Sequence, residues 1–136
     1  MGHKVDPFSY RLPITKNWLS KWFATHDYAK LLHADLAIRA YVEQKLKNAS
    51  VESVFISRGT NEINVTIKSA KPGLIIGRSG AGVADLKLAI EKISGGRIRL
   101  NIEEVKKPDA SAKLVAQSIA AQIEKRVSYR RAMRQA

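Results

Sequence analysis

The residues best equipped for chemistry stand together in Lys71-Pro72-Gly73-Leu74-Ile75-Ile76-Gly77-Arg78-Ser79-Gly80-Ala81-Gly82-Val83. Gly77 and Gly80 permit backbone angles that a Cβ penalises, and they leave the main chain bare for close approach. Arg78 and Ser79 between them supply a cation and a hydroxyl, and Lys71 adds a cation just upstream. A helical pattern begins at Ala81. A loop that opens a helix offers backbone N–H groups and a partial positive charge to an anion. The natural anion here is a phosphate. A second group of cations closes the chain: Lys125, Arg126, Arg130, Arg131 and Arg134, with no carboxylate among or after them. Cations near a helix C-terminus complement its dipole at roughly 0.3–1 kcal/mol each, which accounts for one or two of them. Five spread over nearly three turns point instead to contact with RNA.

A nucleotide-binding P-loop requires Gly, four residues, then Gly-Lys-Ser/Thr. Counting from Gly77, the second glycine falls at Gly82, but Val83 and Ala84 follow it, so the lysine and the magnesium-holding hydroxyl are missing. A dinucleotide fingerprint also fails, for want of a glycine at its second position. What fits is the GXXG loop of a KH domain, which clamps about four nucleotides of single-stranded backbone. The alternative is a helix-start turn with no ligand. The lead-in Leu74-Ile75-Ile76 is expected to be buried and to hold the loop rigid.

Other chemistries find little support. Asp85, Glu91, Glu103, Glu104 and Asp109 are scattered with no paired spacing and no histidine companion, so no catalytic residue is assigned. His3, His26 and His33 do not form a ligand spacing, and there is no cysteine, so neither a metal site nor a disulfide is expected. No cofactor is implied. A formal net charge of +12 favours a polyanionic partner, because phosphate binding releases counterions. No apolar run approaches the ~18 residues of a membrane span, and no signal-like apolar core follows the N-terminus. A cytoplasmic location is expected.

The elements that must position these residues can be read from periodicity. Residues 1–26 form an irregular basic arm with no sustained period. Its Trp18, Trp22 and Phe23 either stack on bases, anchor a partner, or fold back onto the core. From Asp27 to Asn48 apolar residues recur at threes and fours, with Asp35 a possible cap for a second half and a break near His33-Ala34. Val51 to Ser57 and Ile63 to Lys68 read as a β-hairpin with one buried face. After the loop, Val83, Leu86, Ile90 and Ile93 stripe a helix that Gly95-Gly96 ends. Ile98, Leu100 and Ile102 alternate with Arg97, Arg99, Asn101 and Glu103 in a third strand. A long helix from about Ala110 to Arg134 follows. The whole is an α+β fold, a three-stranded mixed sheet with helices packed on one face, in the order of a type II KH domain. The domain spans residues 27–136, its C-terminal helix included.

The sequence resembles the family of KH-bearing proteins numbered three of the bacterial small ribosomal subunit, in its N-terminal half. The stretches that carry the resemblance are Met1-Gly2-His3-Lys4-Val5, Trp22-Phe23-Ala24, Ala70-Lys71-Pro72-Gly73-Leu74-Ile75-Ile76-Gly77, Asn101-Ile102-Glu103-Glu104-Val105-Lys106-Lys107-Pro108 and Arg126-Val127-Ser128-Tyr129-Arg130-Arg131-Ala132-Met133. The resemblance implies a structural, non-enzymatic role that is ribosome-associated. It implies binding to small-subunit ribosomal RNA of the head, contact with ribosomal proteins ten and fourteen, and a place near the messenger RNA entry channel. Arg130, Arg131 and Arg134 occupy positions where the family's basic residues meet messenger RNA. Pro13 departs from the family's usual glycine, Arg78-Ser79 offers one cation where two lysines are common, and the family's second α/β domain is missing from this sequence, as a natural short form or a fragment would have it. The competing expectation is a free-standing KH module that acts as a single-stranded RNA regulator or chaperone.

Overall fold

The computed structural model describes residues 2–77 and 80–136. The sequence pattern folds into β2 (Val51–Arg58) and β3 (Ile63–Ser69), an antiparallel hairpin, with β4 (Ile98–Glu104) parallel to β3. Alternation then fixes two faces. Val54, Ile56, Ile63, Val65, Ile67 and Ile98 point inward and are buried. The outward face reads across the strands as Ser57-Asn64-Arg99, Phe55-Thr66-Asn101 and Ser53-Lys68-Glu103. α2 (Tyr28–Lys45) and α4 (Ala81–Ser94) cover the inner face with Ile38, Val42, Leu86 and Ile90. Each such side chain contributes about 1.5–3 kcal/mol by leaving water. The chain is thus an α+β fold with α2 and α4 on one side of a mixed sheet, as expected.

Three features of the arm and α2 differ from what periodicity predicts. The sheet has a fourth strand, β1 (Ser20–Lys21), which joins from the arm parallel to β2. The arm also holds one short helix, α1 (Pro7–Tyr10), whose start is capped by Asp6 accepting from the Phe8 N–H at 2.8 Å. α2 runs unbroken past His33-Ala34. Asp35 does not cap anything; it lies fully buried on the same stripe as Ile38 and Val42.

The reason is the ligand set of that carboxylate. Asp35 Oδ2 accepts from Ser20 Oγ at 2.9 Å and from Trp22 Nε1 at 2.8 Å. Its Oδ1 accepts from both Arg58 Nε at 2.9 Å and Arg58 Nη2 at 2.6 Å. A charge buried this deeply costs several kcal/mol unless it is paired and hydrogen-bonded, and here both oxygens are. The arm's last residues are therefore bonded to α2 and to the end of β2.

The long terminal helix also divides, into α5 (Ala112–Glu124) and α6 (Tyr129–Gln135). Arg126 takes a left-handed conformation, φ 62°, and its N–H closes on the Ile123 carbonyl at 2.8 Å. The turn lets α6 fold back on α5 and bury Ala132 completely. A straight helix would leave that surface in water.

Removing the hub should be costly. Asp35→Ala leaves the nearly buried Arg58 without its counter-charge and should lower unfolding free energy by about 3–5 kcal/mol. Trp22→Phe, which removes one neutral donor, should cost nearer 1 kcal/mol. Urea denaturation midpoints measure both, and an Asp35→Ala loss no larger than that of Trp22→Phe would contradict the assignment.

Candidate nucleic-acid interface

The loop is delivered by a short helix with little freedom. Ser69, buried at the end of β3, donates to the Ala49 carbonyl at 2.6 Å and accepts from the Lys71 N–H at 2.9 Å. That pins the start of α3 (Pro72–Ile76), with Pro72 at its first position, where a missing N–H is harmless. Lys71 itself is exposed beside it.

At the far end of α3, Gly77 has φ 69° and donates its N–H to the Gly73 carbonyl at 3.0 Å. Gly80 has φ 79° and opens α4. Both angles belong to the region that favours glycine. Arg78 and Ser79 lie outside the described residues. Gly82 has a different duty. A Cβ on it would sit 2.5 Å from the Ile75 carbonyl oxygen and 3.2 Å from that of Ile76. Its bareness lets the first turn of α4 press against the last turn of α3, and Gly77 shares that close approach, since a Cβ on it would lie 3.3 Å from the Gly82 nitrogen. With no acid in α4's first turn, the partial positive charge there is unopposed locally.

The lead-in is only partly buried. Ile75 is enclosed, whereas Leu74 and Ile76 are 61% and 42% exposed. A five-residue helix buries one side, and one residue in three falls there. The loop is held by the backbone junction and Ile75 rather than by three buried side chains.

The terminal cations take two distinct settings. Lys125 caps α5 and Arg126 follows it, where the helix dipole welcomes positive charge. In α6 only Arg134 lies in the last turn. Arg130 and Arg131 fall in the first turn, where the dipole disfavours them. Arg130 Nε donates to Tyr129 Oη at 3.2 Å and its guanidinium lies 5.8 Å from that ring. Among the described residues, none of the five cations is within 4.0 Å of a carboxylate. Arg130, Arg131 and Arg134 line a shallow groove of about 350 Å³. The loop and this groove are carried by different helix pairs, α3 with α4 and α5 with α6.

A family model described as KH domain matches residues 37–110. The chain belongs to the KH domain family. The matched span takes in the second half of α2 and all of β2, β3, the GXXG loop, α4 and β4, so the KH domain holds the inner core cluster from Ile38 to Ile98. Beyond it, the chain is similar over its full length to proteins named small ribosomal subunit protein uS3. Those of Halalkalibacterium halodurans and Shouchella clausii are each 50% identical across 100% of this chain and 62% of the relative. That of Bacillus cytotoxicus is 50% identical across 99% of this chain and 62% of the relative. The chain therefore spans about three fifths of the length of these relatives. Among the described residues, no three His, Asp or Glu gather as a metal would require, and no helix is long and apolar enough to cross a membrane.

The KH reading of the loop makes a structural prediction at Gly82. Alanine at an open helix position normally stabilises by about 1 kcal/mol over glycine. Gly82→Ala should do the reverse and destabilise by about 1–3 kcal/mol, because its methyl meets backbone. Gly73→Ala, with nothing within 4 Å of its Cβ, is the control. Thermal melting of both variants checks this, and equal melting points would contradict the close junction.

Proposed function

We propose that this KH-domain chain is a structural, non-catalytic RNA-binding component of the small ribosomal subunit. In this reading it is cytoplasmic and ribosome-associated, binds ribosomal RNA of the head, touches neighbouring proteins ten and fourteen, and lies near the messenger RNA entry channel. The observation that carries the proposal is the full-length similarity, arm and terminal cluster included, to proteins named uS3. A free-standing KH module would need neither the arm nor the cluster.

Electrostatics support the same roles. Gly77, Arg78, Ser79 and Gly80 form the loop that clamps sugar-phosphate, with Lys71 beside it. Lys125, Arg126, Arg130, Arg131 and Arg134 form a second phosphate-binding surface. Arg130 and Arg131 are the telling pair, since a first-turn position costs energy in the free protein and an external polyanion offsets that cost.

Sedimentation with purified small subunits lacking this protein tests the proposal. The chain should travel with the subunits at low salt and be released as salt rises. The variant Arg130→Ala/Arg131→Ala/Arg134→Ala should bind single-stranded RNA with a slope of log K against log salt reduced by about 2, three phosphate contacts being lost. A chain that stays at the top of the gradient would overturn the ribosomal assignment, and an unchanged slope would remove the cluster from it.

A further inference from the structure

The open face of the sheet carries a groove that the GXXG loop and the terminal cluster leave unused. Its volume is about 600 Å³. Its floor is the outward face of β2 and β3, and its wall is the arm between Phe8 and Lys21. The helices that hold the GXXG loop cover the opposite face, so the two places are separate.

The wall and the floor differ in character. The wall presents Lys16 and Lys21 without a carboxylate, and two rings, Trp18 at 60% and Phe8 at 37% exposure. Lys21 reaches the open face because Ser20, its neighbour in β1, points inward to Asp35. The floor is polar, with Glu52, Glu103 and Lys68 as its charged residues. Lys68 lies 5.2 Å from the Phe55 ring and 3.7 Å from Glu103, so it covers that ring and offsets that charge. Asn64, Thr66 and Ser53 face outward beside it, with Glu52 as an acceptor. A cationic wall with free rings over a hydrogen-bonding floor matches one class of ligand. Single-stranded RNA carries charge along one side and flat, hydrogen-bonding bases along the other.

We propose that this arm–sheet groove is a second single-stranded RNA site, with Trp18 as its stacking platform, Lys16 and Lys21 as its phosphate contacts, and the floor amides and hydroxyls meeting base edges. Trp22 takes no part, because its indole N–H is committed to Asp35. The site rests on the general RNA-binding reading above but not on the loop.

Tryptophan emission tests it on the full chain, with a uridine decamer as probe and fluorescence anisotropy of a labelled decamer as the binding readout. A variant carrying Arg78→Asp/Ser79→Asp together with Arg130→Ala/Arg131→Ala/Arg134→Ala serves as the background, so that neither the loop nor the terminal cluster contributes. Binding of the decamer should quench emission. Trp18→Ala should abolish the quench, leaving Trp22 emission steady, and weaken binding about tenfold, whereas Trp18→Phe should retain most of the affinity. Lys16→Glu should weaken binding while leaving the melt unchanged. An RNA duplex of equal length should not quench. Binding without a quench, or an affinity indifferent to Trp18→Ala, overturns the site and leaves the ribosomal assignment standing. So does an equal quench by a polyglutamate decamer, which would make the groove a surface for acidic polypeptide.

Discussion

The buried carboxylate of Asp35 is the constraint on which the molecule's outer features depend. It occupies a position on α2 that the stripe through Ile38 and Val42 would otherwise give to an apolar side chain. Arg58 at the end of β2 neutralises it, and Ser20 and Trp22 complete its hydrogen bonds. A buried charge that needs four donors fixes the parts that supply them. Here it draws helix, sheet and arm to one point. Ser20 cannot reach Asp35 without placing β1 alongside β2, and that pairing turns Lys21 to the open face. The arm groove is a geometric consequence.

The loop depends on a different economy, the removal of side chains. Gly77 and Gly80 adopt positive φ angles, and Gly82 admits the Ile75 carbonyl where a Cβ would collide. Because the junction is backbone against backbone, Leu74 and Ile76 remain exposed without loosening it. The terminal arginines follow a third logic. Dividing the last helix places Arg130 and Arg131 at an N-terminus, so intrahelical electrostatics no longer account for them.

Much of this was legible in the sequence, and the boundary has physical causes. The hairpin, β4 and α4 announce themselves by period because one face of each is buried, and the strand residues predicted to point inward do so. The GXXG spacing and the matched KH domain agree. β1 was not legible, because two residues have no period and its stability comes from a distant aspartate. Asp35 left a signal that periodicity can register, a carboxylate three and seven residues before Ile38 and Val42, but its partners lie 13 to 23 residues away in sequence. The division of the last helix was hidden because Lys125-Arg126-Val127-Ser128 contains neither Gly nor Pro; the turn is chosen by the burial of Ala132.

Asp35 docks the end of the arm in the free protein, before any RNA or partner is present. Limited trypsin digestion followed by mass measurement tests it directly, since the arm offers Lys4, Arg11 and Lys16 ahead of the anchor and Lys21 within it. Early cleavage should fall after the first three and spare Lys21, leaving a stable fragment that begins no later than Asn17. Early cleavage after Lys21, with release of residues 1–21, would contradict the account.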